Sequence, residues 1–191
     1  MKNSVFSSTN AMIMTSLGVV INLVLGTVVQ TLNIPFVFLD TIGTIFVASI
    51  FGPLAGAVAG GLSNVIQGMI TNPITIPFAF VNIMVGLVVG FIAKRWKFDI
   101  KTAVITGLIL SVVAPLIGTP IAVWLFDGLT GNGTDFLFIW LVNSGQKIFQ
   151  AAFIQRITEN LIDKIASCIL VSLIITKLPK DVLKGQLTKN A

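Results

Sequence analysis

Four side chains near the end of the chain fall on one face of a helix at i, i+3, i+4 and i+7: Arg156, Glu159, Asn160 and Asp163. They sit just before, and partly inside, an apolar run, where ionisable groups are costly and must face a partner or a wet cavity. One reading makes that face a wall of a polar pocket. The other pairs Arg156 with Glu159 and lets the rest snorkel to the interface. A second group is made of amides: Asn64 and Gln67 one turn apart, Asn72 a few residues on, and Asn82 after Phe78 and Phe80. Neutral amides donate and accept together, which suits the polar edge of an uncharged or weakly charged heterocycle. They also suit plain interhelical hydrogen bonds, a common use of Asn and Gln in membrane bundles. Phe36, Phe38, Trp124 and Trp140 border the adjoining loops, placed either to stack on a flat ring or to anchor at the interface.

The elements that position these residues are membrane spans. The chain has 191 residues, 55% hydrophobic and only 10% charged, whereas a soluble domain carries about 25% charged residues. That is too little charge to coat a surface facing water. A helix needs about 20 apolar residues to cross the hydrocarbon core. Residues 11–29, 36–51, 54–70, 78–93 and 102–126 fit as spans, the second short and carrying Asp40 and the fifth bent or broken near Pro115 and Pro120. The clean run 165–176 is only about 18 Å long, so a final span must reach back to about 152 and takes Arg156 to Lys164 with it.

Nine of the twelve Lys and Arg residues cluster at Lys2, at Lys94, Arg95, Lys97 and Lys101, and at Lys177, Lys180, Lys184 and Lys189. Cytoplasmic loops carry the excess of Lys and Arg. Six spans put all three clusters inside; five or seven do not. The expected fold is therefore one all-α membrane domain over 1–191, with six transmembrane helices and both termini cytoplasmic. Residues 136–150 become an outer loop or interfacial helix, and the first ten residues a short cytoplasmic tail. The formal charge of +5 belongs to membrane edges and anionic lipid, with no nucleic-acid partner implied.

Several chemistries lack their residues. The chain has no histidine and one cysteine, Cys168, read as a small packing residue, so no metal or other cofactor is expected. No GxxxxGK[ST] loop is present for ATP hydrolysis. No Ser-His dyad is available, and an enzyme is not expected. Gly52, Gly56 and Gly60, with Ala55 and Ala59 beside them, form a small-residue stripe for close helix approach.

Six spans in this length, with the stretch FGPLAGAVAGGLSN from Phe51 to Asn64, resemble the S components of energy-coupling factor (ECF) transporters. The resemblance covers the whole chain in hydropathy and length, and its most specific piece is the Gly-Pro-Leu-Ala-Gly turn. It implies a substrate-capturing subunit in a prokaryotic plasma membrane, binding a vitamin or precursor in its outer half under a loop at about 30–38. It implies partners: a membrane scaffold subunit and, through it, two cytoplasmic ATPases. The family's Ala-x-x-x-Ala docking pattern is met by Ala11 and Thr15, with Thr in place of the second Ala. The overall look is nearest to pyridoxine-type or hydroxymethylpyrimidine-type S components. The expected binding set is Phe36, Asp40, Asn64, Gln67, Asn72, Asn82, Trp124, Glu159, Asn160 and Asp163. The rival is a stand-alone carrier coupled to protons through Glu159 and Asp163.

Overall fold

The computed structural model describes residues 9–178; Lys2, Lys180, Lys184 and Lys189 lie outside the described residues. Seven helices follow in order: α1 (Thr9–Thr31), α2 (Ile42–Phe51), α3 (Pro53–Ile70), α4 (Ala79–Arg95), α5 (Ile100–Phe126), α6 (Asp135–Asn143) and α7 (Ile148–Lys177), with a 3-10 turn at Pro73–Thr75. Asn72 starts that turn by accepting a hydrogen bond from the Ile74 N–H at 3.1 Å. Asp99 caps α5 by accepting from the Thr102 N–H at 2.9 Å. That bond holds the exposed Asp99 carboxyl below its ordinary value. The cap is therefore in place at neutral pH and is lost only as pH falls below the usual carboxylate range.

The polarity of the bundle is inverted relative to a protein in water. Asn22, Gln155, Glu159 and Asp163 are fully buried, while Leu17, Val20, Val24, Phe91, Leu116 and Trp124 project outward. Hydrocarbon as the outer solvent explains both halves, because the buried polar groups then meet one another and the apolar groups meet lipid. By length and apolarity alone, α1 and α5 each suffice to cross a membrane. Helix α5 runs unbroken through Pro115 and Pro120, so no break occurs there. Membrane helices tolerate internal proline where neighbours re-satisfy the freed backbone groups.

Helix α2 is the hub. It packs against α1, α3, α4 and α7, and eight of its ten residues are buried. It is only about 15 Å long, because it begins at Ile42 and not at Phe36. The intervening backbone turns through left-handed conformations at Phe36 (φ 63°) and Leu39 (φ 54°), which no helix admits. Small residues set the spacing around the hub. Gly18 of α1 faces Gly43 of α2, and Gly56 of α3 faces Ala48 and Gly86. The α2–α3 turn is made by Gly52 at φ 92°, with Pro53 opening α3. Cys168 lies in the core formed by α2, α4, α5 and α7.

One amide joins three helices. Asn22 donates to Thr44 Oγ1 at 2.8 Å and Ser63 Oγ at 3.0 Å, and accepts from the Gly43 N–H at 2.7 Å. Asn22→Ala removes all three bonds and leaves the Gly43 N–H buried without an acceptor. The expected cost is about 1–3 kcal/mol, read as a lower melting temperature in detergent. An unchanged melting temperature would show that the three helices are held by packing alone.

Candidate functional site

Three loops meet over one chamber: the stretch between α1 and α2, the Pro-punctuated stretch between α3 and α4, and the Gly-rich stretch between α5 and α6. Each loop is held by side chains from the helices beneath it. The 32–41 loop is tied by Asp163 of α7. Its Oδ1 accepts the backbone N–H groups of Phe38 at 2.8 Å and Leu39 at 3.0 Å. Its Oδ2 holds Lys164 Nζ at 2.6 Å. That ammonium also donates to Thr41 Oγ1 at 3.1 Å and lies 3.6 Å from Asp40 Oδ1. An irregular backbone buried in a membrane bundle needs such internal acceptors, having no water to turn to.

The 71–78 loop is tied by Asn64, whose side chain donates to the Thr75 carbonyl at 3.1 Å and accepts from Asn82 Nδ2 at 2.8 Å. Asn82 also reaches the Asp40 carbonyl at 3.3 Å, joining this loop to the first. The 127–134 loop is tied by α7. Thr134 donates to Glu159 Oε1, Gln155 donates to the same oxygen at 2.9 Å, and Arg156 Nη2 donates to Thr130 Oγ1 at 3.2 Å. The Arg156 guanidinium lies over the Phe78 ring, 5.3 Å from its centroid.

The chamber has two lobes. The smaller, about 90 Å³, lies among Gly26, Phe36, Phe38, Asn64, Gln67 and the 131–134 loop. The larger, about 130 Å³, lies among Phe38, Phe78, Asn82, Arg156, Asn160 and Lys164. Gln30, Phe38, Asp40, Asn64, Thr75 and Asn132 border both, so the lobes adjoin. Its wall is amide, cation and aromatic face: hydrogen bonds to a ring's edge and contact to its plane.

Most of the residues expected to bind substrate meet here. Asp40 and Asn64 border both lobes, Phe36 and Gln67 the smaller, and Asn72, Asn82 and Asn160 the larger. Phe36 is further braced edge-on by Phe136. Three residues stand elsewhere. Trp124 is 80% exposed on the outer surface: its position in the sequence gave its depth, and its direction around α5 turned it outward. Glu159 and Asp163 are fully buried behind the wall. They hold loops and border neither lobe. Glu159 and Arg156 make no ion pair among the described residues, contrary to the pairing alternative.

Ala11 and Thr15 are 1% and 4% exposed, with Thr15 Oγ1 bonded back to the Ala11 carbonyl. The structure buries them in the bundle, because small residues let the neighbouring helices close over them. The face that α1 leaves open carries Met12, Ile13, Leu17, Val20, Val24 and Val28.

Lys164, Thr130, Asn132, Phe78 and Gln30 were not among the expected binding residues, yet they line the chamber. The sequence signal for two of them was the loop DGLTGNGTD, whose glycines mark a turn without marking a wall. Among the described residues no His, Cys, Asp and Glu grouping is suited to a metal ion.

No curated protein and no solved structure matches the chain. A family model does, that of the ECF transporter, substrate-specific component, and it matches residues 10–175. That span takes in every helix but the edges of α1 and α7, and with it the whole chamber. The chain therefore belongs to the family of ECF transporter substrate-specific components, multi-span membrane proteins that are transport subunits and not enzymes.

Proposed function

We propose that this chain captures a single-ring vitamin or vitamin precursor, of the pyridoxine or hydroxymethylpyrimidine type, for an ATP-driven importer. The chamber's size and lining carry that reading. The larger lobe holds about 130 Å³ beside Phe38, Phe78, Asn82 and Asn160. A dry cavity of about 150 Å³ takes up one benzene, so one small ring fits the larger lobe. Amides at the edge and phenyl faces around it match a small hydroxylated heterocycle.

Six spans with both termini cytoplasmic give this chamber an outward mouth. Lys94, Arg95 and Lys97 then stand on the cytoplasmic side with Lys177, and all three chamber loops fall on the other side. Helix α6 is about 14 Å long, too short to add a crossing. Membership of the family implies association with an ECF module. The chain would dock on a membrane scaffold subunit in a prokaryotic plasma membrane, with two cytoplasmic ATPases supplying the work. The open apolar face of α1 suits a scaffold better than the buried Ala11 and Thr15. The carrier alternative loses support from Asp163, whose carboxylate is committed to two N–H groups and an ammonium.

The test is to purify the chain in mild detergent, denature it, and identify released small molecules by mass spectrometry. A stoichiometric single-ring heterocycle is expected, with uptake into liposomes only when the scaffold and ATPases are present. An empty chain that nonetheless transports alone, driven by an ion gradient, would remove the capture reading.

A further inference from the structure

We infer that the captured ring carries an acidic oxygen substituent, and that Arg156 is the residue that reads it. The inference rests on the capture proposal and narrows its ligand class. Two cations line the larger lobe, Arg156 and Lys164, and their commitments differ. Lys164 has three N–H donors and three oxygens around it: Asp163 Oδ2, Thr41 Oγ1 and Asp40 Oδ1. It is spent on holding the 32–41 loop.

Arg156 has five N–H donors and makes one hydrogen bond among the described residues, from Nη2 to Thr130. Its Nε is buried without a partner. No carboxylate oxygen lies within ion-pair distance of it in the described structure. Glu159, one turn away, directs Oε1 to Thr134 and Gln155 instead. The guanidinium is nevertheless oriented, with the Phe78 ring against it and Thr130 at one amine. A buried, oriented fork with idle donors calls for an acceptor. The acceptor that matches its planar geometry is a carboxylate or a comparable oxyanion.

The same lobe has an idle acceptor as well. Asn82 Oδ1 is buried without a hydrogen-bond partner, and Asn82 borders it. The amide of Asn82 is fixed by its two donated bonds, so its oxygen is the free end. The complementary ligand offers an acidic oxygen to Arg156 and N–H or O–H donors elsewhere on its ring. Such a molecule answers both idle groups, since its oxyanion meets Arg156 while a ring donor meets Asn82 Oδ1.

The probes are pyridine-3-carboxylate and pyridine-3-carboxamide, equal in shape and different in charge. Each is titrated by calorimetry into the ligand-free full chain in detergent, as the unaltered protein, Arg156→Gln and Arg156→Lys. The carboxylate should bind the unaltered chain about tenfold to a hundredfold more tightly. Arg156→Gln should erase that ratio, lowering the carboxylate's affinity far more than the amide's. Arg156→Lys, which keeps the charge and loses the fork, should fall between, and it supplies the ratio if the Gln variant does not fold. Equal affinities in the unaltered chain, or an equal loss for both probes in the variants, overturns the assignment to Arg156 and leaves the capture proposal standing. Binding of neither probe overturns the acidic-oxygen assignment and leaves the capture proposal to the mass-spectrometric test.

Discussion

Asp163→Ala is expected to be among the most damaging single substitutions at the chamber, although Asp163 does not line it. The carboxylate is fully buried and serves two kinds of partner, one charged and one neutral. It neutralises Lys164 at 2.6 Å, and it accepts the N–H groups of Phe38 and Leu39. Truncation strands the ammonium with Asp40 at 3.6 Å as its remaining carboxylate partner, and strands two backbone donors. Breaking one side of a buried pair costs about 3–5 kcal/mol. Part of that loss should appear as ligand affinity, because Phe38 and Asp40 border both lobes and the loop that carries them loses its tether. Asp163→Asn keeps the shape and one acceptor, so it should fall between Ala and the unaltered chain. The double variant Asp163→Leu with Lys164→Met removes both charges together and should recover stability relative to Asp163→Ala, while the loop's untied N–H groups keep binding weak. Melting curves in detergent and calorimetry on the same samples separate the two readouts. Melting and binding both unchanged in Asp163→Ala would mean that the loop is held by something other than this tether.

That tether shows where the sequence was readable. The spacing of Arg156, Glu159, Asn160 and Asp163 placed all four on one face of the last helix, and the structure buries all four. Spacing could not divide their labour. Asn160 and Arg156 border the chamber, while Glu159 and Asp163 hold its loops, and the division depends on partners more than a hundred residues away in the case of Phe38 and Leu39. The amides at 64 and 82 were legible for a simple reason: polar side chains in apolar runs need partners, and these two found each other. Asn22 met the same condition but stood alone in its run, with nothing nearby in sequence to suggest Thr44 and Ser63. The start of α2 was misplaced because composition does not report backbone handedness. Phe36 and Leu39 are ordinary helix-compatible residues that the loop forces to positive φ, an arrangement that costs energy and persists only where the surroundings fix it. Asp163 supplies that fixing.

Gly43→Val should prevent the bundle from closing at all, a loss of about 3 kcal/mol or more from overpacking and the bonds that go with it. A Cβ at Gly43 overlaps the backbone of Gly18, the carbonyl oxygen first. Backbone cannot rotate aside as a side-chain tip can, so α1 and α2 would have to separate. Separation then breaks the bond from the Gly43 N–H to Asn22 Oδ1 at 2.7 Å and draws Asn22 away from Thr44. The damage reaches the chamber by a short route. Helix α2 begins one residue after Thr41, whose hydroxyl accepts from Lys164, and α1 ends beside Gln30, which borders both lobes. Moving these helices apart widens the chamber from below while the 32–41 and 127–134 loops remain tied to α7. The variant is expected to give little monodisperse protein in mild detergent, by size-exclusion chromatography, and to bind no ligand. Gly43→Ala is the graded control. Its single methyl meets the same carbonyl, so it should also destabilise, though less than Val. Gly61→Ala serves as the comparison, since a methyl there meets the Ile83 side chain and no backbone. If Gly43→Val and Gly61→Ala melt alike, the α1–α2 crossing is looser than a glycine-to-glycine contact, and the position of the first chamber loop must be set by α7 alone.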